Sequence, residues 1–488
     1  MAALLKRLVA SSAAYQAASL LSAAIAVVTL PIYTRHVGTG AYGYADLVLV
    51  AIILASIAVT FGLTDAIVRW WYDDDDPERR DRLARSVTGA VLASTTALAL
   101  VALLFAGDIS QALLDHRDAT LMGFGVLGFW AYANLQVAYA LLRAEHRRRA
   151  FLIASSADVL LTVAVTLVLV VGFDQGARGL VLGNYGASAV VLVGLWLTSP
   201  RHVGLPRWHQ LEPLVRFGLP TVPADASVFA LNFVDRTWLL HAKGVREASI
   251  FSASVKLATA VIVVVRGFQA AWPPLAYSIA SDDEARRFYA VVTSAYVGVT
   301  GLVVAGMTLL GRWVVRLLTA SDFHGAFAAL PWLTLGWALY GLYLVFVVIA
   351  GRARVTSRNF PAAAAGLAAN VVLLALLVGP LGTRGAGIAL CGAYAVMLLA
   401  IGALTRRLFP VPFEWWRLAR IVVVLAGASV AGELLLPTHG AAGFLERAAV
   451  LAALPALLAL AGAMTPAELR RVRAALTALR PRPARPAG

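Results

Sequence analysis

Residues 218–277 read GLPTVPADASVFALNFVDRTWLLHAKGVREASIFSASVKLATAVIVVVRGFQAAWPPLAY. Two apolar segments of bilayer-spanning length lie here, and Asp225, Asp235, Arg236, Lys256 and Arg266 fall inside or at the edges of them. A charge at the centre of a membrane helix costs ~2.5–3.5 kcal/mol on insertion scales, so such residues turn toward a bundle interior or a wet cavity. The stretch therefore predicts helices grouped around a polar lumen.

The rest of the chain carries the same signature. Of 488 residues, 60% are hydrophobic and 14% charged, a composition foreign to soluble globular domains. Irregular backbone cannot face lipid, so repeated apolar runs of about 20 residues predict an all-α integral membrane bundle. The runs mark about fourteen helices, among them 42–69, 214–241, 248–271 and 328–351. A formal net charge of +15 would suggest nucleic acid in a soluble protein. Here Lys and Arg concentrate about threefold on the side holding both termini, which predicts cytoplasmic N- and C-termini and no nucleic-acid partner. The first helix reads as a retained anchor rather than a cleaved signal. The single cysteine, Cys391, permits no internal disulfide and reads as a small buried hydrophobe.

The two halves echo each other at an offset of roughly 208 residues, as parallel transporter repeats do. DDPERR at Asp75 to Arg80 returns as DDEARR at Asp282 to Arg287, and RAEHRRRAF at Arg143 returns as RARVTSRNF at Arg352. GARGLVLGNYGAS at Gly176 returns as GAGIALCGAYAV at Gly385. The expected organisation is an N-terminal lobe over 1–205 with helices 1 to 6 and a C-terminal lobe over 206–410 with helices 7 to 12. Helices 13 and 14 occupy 411–463. A basic tail over 464–488 opens with the capping box Thr465-Pro466-Ala467-Glu468 and an amphipathic helix suited to anionic headgroups.

Polar positions elsewhere have two readings each. Ser12, Tyr15, Gln16, Ser19 and Ser22 make one side of helix 1 polar, consistent with a cavity wall or with helix packing. Arg35 ends that helix, and Asp46 lies just inside helix 2. Asp65 and Arg69 stand in the favourable i,i+4 order for an ion pair. Asp158 is the one charge in a stripe with Ser155, Thr162 and Thr166, suited to the lumen or to helix pairing. Asp73 to Asp76 could bind magnesium diphosphate, but acids before a helix followed by arginines are more simply a cap and topology signal.

In helix 7, Asn232 and Arg236 are one turn apart with Asp235 between. In helix 8, Lys256 and Arg266 are about 80° apart in phase if the helix is continuous. With Arg35 and Arg69 these cations would suit an anionic, phosphate-bearing headgroup. The competing reading pairs Asp235 with Arg236 or Lys256. Pro220, Pro223, Pro273 and Pro274 interrupt the hydrogen-bond ladder around the same charges.

N-x-x-D-R at Asn232 to Arg236, A-S-I-F-S-A-S-V-K-L at Ala248 to Leu257, and W-P-P at Trp272 to Pro274 resemble the middle of the polysaccharide-biosynthesis (O-unit, Wzx-type) flippases of the MOP exporter superfamily. The hairpin LPIYTRHVGTGAYGYADLV at 30–48, with its Tyr42-Gly43 pair, is similar to that family's start. Phe251 and Ser249 depart from the family's usual Tyr and Gly.

The resemblance implies a V-shaped pair of six-helix lobes plus two further helices in the bacterial inner membrane. It implies alternating access that moves undecaprenyl-diphosphate-linked oligosaccharide from the cytoplasmic to the external leaflet. Asp235, Arg236 and Lys256 match the family pattern; Arg266, Asn232, Arg35 and Arg69 join them by placement as candidate substrate-binding residues. Asp158, Asp46 and Asp65 are candidates for coupling to H+ or Na+, or the membrane potential acts directly. Membrane lipids and a polysaccharide polymerase or export machinery are the expected partners, with no catalytic or metal site. A lipid II flippase, a MATE-type cation antiporter and a polyprenyl-phosphate enzyme are the alternatives.

Overall fold

A computed structural model describes residues 25–72, 76–279, 281–352 and 358–463. The polar stripe at Ser12 to Ser22, Asp73 to Asp75 and the basic tail from Thr465 lie outside these residues. No strand occurs among the described residues. The helices are α1 (25–36), α2 (Thr39–Val59), α3 (Leu63–Trp70), α4 (Pro77–Leu104), α5 (Ala106–Leu114), α6 (Ala119–Ala144), α7 (Arg148–Leu167), α8 (Gly176–Thr198) and α9 (Trp208–Gly218). There follow α10 (Val222–Lys243), α11 (Val245–Leu257), α12 (Thr259–Ser278), α13 (Asp282–Leu318), α14 (Leu330–Arg352), α15 (Asn359–Thr405), α16 (Trp415–Leu435) and α17 (Gly440–Leu460).

Among the described residues ten helices are long and apolar enough to cross a membrane, or up to eleven if α11 and the Val261–Gln269 part of α12 form one bent span. α10 is not among them despite its 22 residues, because Asn232, Asp235, Arg236 and other polar groups interrupt its apolar run. Its stability must come from internal partners for those groups rather than from lipid.

Local chemistry explains the breaks. α2 stops where Phe61 and Gly62 take left-handed φ values of 50° and 68°, and a side chain at Gly62 would strike the Gly218 backbone of α9. α4 starts at Asp76, whose carboxylate accepts from the Glu78 N–H at 3.0 Å, with Pro77 in the first helical position. Its counterpart α13 opens on Ser281 with Asp282, Asp283 and Glu284 in the first turn, and Asp282 is held by Arg352 at 2.8 Å. The described part of the first run thus caps its helix through Asp76, whereas the second run fills the first turn behind the cap Ser281. Pro220 falls in a 3-10 turn, Leu219–Thr221, that separates α9 from α10. The 47-residue α15 turns on Gly382, φ 52°, where Glu247 of α11 accepts from the Thr383 N–H at 3.1 Å.

One expectation is corrected here. α11 and α12 meet at a 50° bend, so the continuous helical phase that placed Lys256 and Arg266 on one side does not carry across it.

α2 packs on α6 and α8 within its own half of the chain and on α10 and α11 of the other. α14 packs on α15, α13 and α12. α16 and α17 lie against α13 and leave Val423, Leu434, Leu435 and Leu460 exposed, a surface that lipid suits and water does not. A polar lock secures the pair: Arg447, 0% exposed, reaches Glu433 and the carbonyls of Leu309, Leu436 and Pro437. Glu433 also takes Arg312 at 2.7 Å. Arg447→Ala is expected to cost about 3 kcal/mol of stability, the low end for breaking a buried pair because Glu433 keeps Arg312. Thermal melting of the purified protein checks it, with a near-wild-type transition as the contrary result.

Candidate functional site

The centre of the molecule is one carboxylate holding two cations. Asp46 of α2 accepts from Arg236 Nε of α10 at 2.7 Å and lies 3.5 Å from Lys256 Nζ of α11. Asp46 and Arg236 are each 5% exposed, whereas the Lys256 side chain is 29% exposed. Arg236 also donates to the Asn232 carbonyl one turn back, at 2.7 Å, and Lys256 Nζ stands 4.8 Å from the centre of the Tyr42 ring. In so dry a setting the pair persists only because its hydrogen bonds are met on both sides.

The sequence builds this contact through the Tyr42-Gly43 pair. Tyr42, one turn before Asp46, supplies the face for Lys256, and Gly43 lets α2 lie directly on α11. A Cβ at Gly43 would strike Ser249 and approach Val245 Cγ2 to 2.9 Å. Ser249, where the resembling family has Gly, donates to the Thr39 carbonyl. At the same end, the Ala320 N–H donates to Thr34 Oγ1 of α1 at 3.2 Å. The Thr39 and Val245 ends of these helices are therefore closed against each other.

Asp235 points elsewhere. It is 0% exposed and accepts from Asn370 Nδ2 of α15 at 3.0 Å, with its other oxygen unpartnered. The pairing of Asp235 with Arg236 or Lys256, weighed above, is thus replaced by Asp46 for the cations and Asn370 for Asp235. Asn370 is silent in the sequence because a lone Asn in an apolar run announces no partner. It was nonetheless the polar interruption of its helix.

A cavity of about 380 Å³ opens farther along, beside Thr60 at the end of α2. Ile57, which lines it, is eleven residues past Asp46, about 16 Å along the helix. Asp65 of α3, Asn232 of α10, Arg266 and Gln269 of α12, and Trp337 and Tyr340 of α14 form its walls. Arg266 is exposed and has no ion pair among the described residues. The shared vestibule expected for Arg236, Lys256 and Arg266 is therefore divided. Arg266 stands in the cavity and the other two are drawn to Asp46, so the cavity's described charges are one cation and the carboxylate of Asp65.

The remaining candidates fall outside it. Arg35 is exposed at the end of α1, and Arg69 is exposed with its guanidinium 6.0 Å from the Trp70 ring centre; neither lines the cavity. Asp158 accepts from Ser188 of α8 at 2.9 Å and Tyr139 of α6 at 3.5 Å. Thr162 donates to the Asn184 carbonyl at 3.2 Å. That stripe ties α6, α7 and α8 together.

With this geometry in hand, comparison with known proteins is informative. Residues 8–278 match the model of the family described as polysaccharide biosynthesis protein. The chain belongs to that family. No curated relative matches it in sequence. Among solved structures it is similar to the lipid II flippase MurJ in an inward closed conformation, with TM-score 0.75, 14% identity and coverage of 92% of this chain and 97% of that one. It is also similar to an inward-facing multidrug resistance MATE family transporter of the MOP superfamily, with TM-score 0.63, 17% identity and coverage of 80% and 95%. A MOP superfamily transporter from Pyrococcus furiosus gives TM-score 0.62, 16% identity and coverage of 85% and 96%. The fold is that of the MOP transporters, and this member of the polysaccharide biosynthesis family is a multi-pass membrane protein.

Asp46→Ala strands two cations and is expected to cost about 3 kcal/mol or more of stability, whereas Arg236→Ala leaves Asp46 with Lys256 alone and should cost about 3 kcal/mol or somewhat less. The double variant should lose clearly less than the sum of the singles, since the partners share one interaction. Melting curves of the four proteins test this, and additive losses would refute direct pairing.

Proposed function

We propose that this protein is a flippase that moves an undecaprenyl-diphosphate-linked oligosaccharide from the cytoplasmic to the external leaflet by alternating access. The observation that carries the proposal is Arg266, an exposed guanidinium without an ion pair among the described residues, on the wall of a central cavity closed beyond it by the Asp46 contacts. A guanidinium can grip a phosphate through two parallel charge-assisted hydrogen bonds, and neither a lipid tail nor a neutral sugar offers the opposing charge.

In this reading fourteen spans form two lobes, 1–205 and 206–410, with α16 and α17 beside the second. The total follows if the ten apolar helices are joined by the bent α11–α12 span, α10 and α1, and α15 counts as two. The cavity is then open toward the cytoplasm, where the diphosphate enters on Arg266 while the polyprenyl tail stays in lipid. Opening outward requires α2 to leave α10 and α11, which frees Arg236 and Lys256 from Asp46. The released cations draw the anion toward the external side, so Asp46 and substrate compete for the same charges. H+ or Na+ coupling through Asp235, Asp158 or Asp46, or the membrane potential acting on these charges, would supply direction. A polysaccharide polymerase or export complex would receive the product.

A lipid II flippase is the second reading, favoured by the extensive overlap with MurJ and served by the same anion chemistry. A polyprenyl-phosphate enzyme would need its acidic runs free for a metal, yet Asp76 caps α4 and Asp282 is held by Arg352.

Arg266→Ala is expected to lower export of surface polysaccharide at least about tenfold, the equivalent of one charge-assisted bond of ~1.5–3 kcal/mol. Arg266→Lys should retain part of it. Wild-type export by R266A at equal expression refutes the proposal. Depletion of the protein followed by assay of the cytoplasmic leaflet separates the readings, since accumulation of lipid II alone would establish the second.

A further inference from the structure

The cavity contains more than a diphosphate requires. Trp337 and Tyr340 are three residues apart on α14, so their side chains share a helix face, and both border the cavity. Their ring centres are 5.6 Å apart with planes at 88°. Tyr394, 0% exposed, backs both rings at 5.6 and 5.1 Å. Trp337 Nε1 is buried without an acceptor, a donor that folding left unused.

Polar side chains border the same space: Arg266 and Gln269 from α12, Asn232 from α10 and Asp65 from α3. The aromatic and polar walls are fixed to each other. A Cβ at Gly341 would strike the Tyr296 hydroxyl and come within 2.9 Å of Val265 Cγ1, next to Arg266. Tyr296 in turn donates to the Ala338 carbonyl at 3.0 Å. The cavity volume of about 380 Å³ falls among the roughly 300–1,000 Å³ of pockets that enclose small ligands.

A polyprenyl tail has no use for hydrogen-bonding groups, and a phosphate gains little from the face of an aromatic ring. A pyranose uses both. Its C–H face is weakly positive and meets the negative face of an aromatic ring, while its hydroxyls radiate from the edge toward amide and carboxylate partners. We propose that Trp337 and Tyr340 are the sugar platform of this cavity, an aromatic corner in which one ring stacks on the C–H face of the pyranose that adjoins the diphosphate and the other, perpendicular to it, meets the sugar edge, while Arg266 holds the phosphate and Gln269 and Asn232 take the hydroxyls. The inference rests on the flippase reading and adds to it the residues that distinguish a glycosylated lipid from a bare one. Trp337 and Tyr340 lie behind the closed Asp46 contacts, so the sugar is selected in the conformation seen here.

The test uses purified full-length protein in detergent and two probes, a short polyprenyl diphosphate and the same lipid bearing one pyranose, with affinities read by calorimetry. Wild type should bind the glycosylated probe at least about tenfold more tightly than the bare one. Trp337→Leu and Tyr340→Leu should erase that increment and leave affinity for the bare diphosphate unchanged, which also certifies the fold. Trp337→Phe, keeping a ring, should retain most of the increment; if W337L does not fold, W337F combined with Y340L takes its place. Undiminished discrimination in the leucine variants, or equal affinity of wild type for both probes, overturns the sugar platform and leaves the flippase proposal standing. Failure of wild type to bind either probe, or unchanged binding of both by R266A, overturns the flippase proposal itself.

Discussion

Asp46 bridges helices that are far apart in the chain: its partner Arg236 is 190 residues away, and Lys256 joins from the next helix. Buried ion pairs contribute little net stability against well-packed apolar groups, but breaking one is costly because the surviving charge stays dehydrated. Such a contact is well suited to hold two parts of a membrane protein in one arrangement. Everything nearby serves the contact, from Tyr42 beneath Lys256 to the missing side chain at Gly43.

Because Asp46 engages two of the three cations, the third defines the cavity. Arg266 is left exposed among side chains that are polar on one wall and aromatic on another. Arg266 is ten residues, about 15 Å of helix, beyond Lys256, and the two sit on opposite sides of the 50° bend between α11 and α12. Within a single stretch of sequence, one cation thus ends at an ion pair and the other on a cavity wall.

Much of the architecture was legible because it depends on neighbours in sequence. The Asp76-Pro77 start of α4, the 3-10 turn at Pro220 and the acidic first turn of α13 follow from backbone donors and ring geometry within a few residues. The Tyr42-Gly43 pair was visible as a resemblance, although its purpose was not. Less legible were Asn370, which reads as an ordinary interruption until Asp235 is placed against it, and Trp337 and Tyr340, which look like generic membrane aromatics. In sequence Asp46 is one acid among several, and its importance comes only from its surroundings.

The sequence by itself determined that this is a helical membrane protein with costly charges concentrated in two adjacent helices, since hydrophobic length and charge placement are properties of each segment alone. Tertiary structure decided which charge meets which. Helical periodicity assigns a side chain to a face of its own helix but leaves the rotation and depth of the neighbouring helix open. Those are set by backbone approach at positions such as Gly43 and Gly341, where a single added carbon would force the helices apart. The same sequence of charges could have made a cationic vestibule, and the packing of α2 on α11 made a sealed contact and a separate cavity instead.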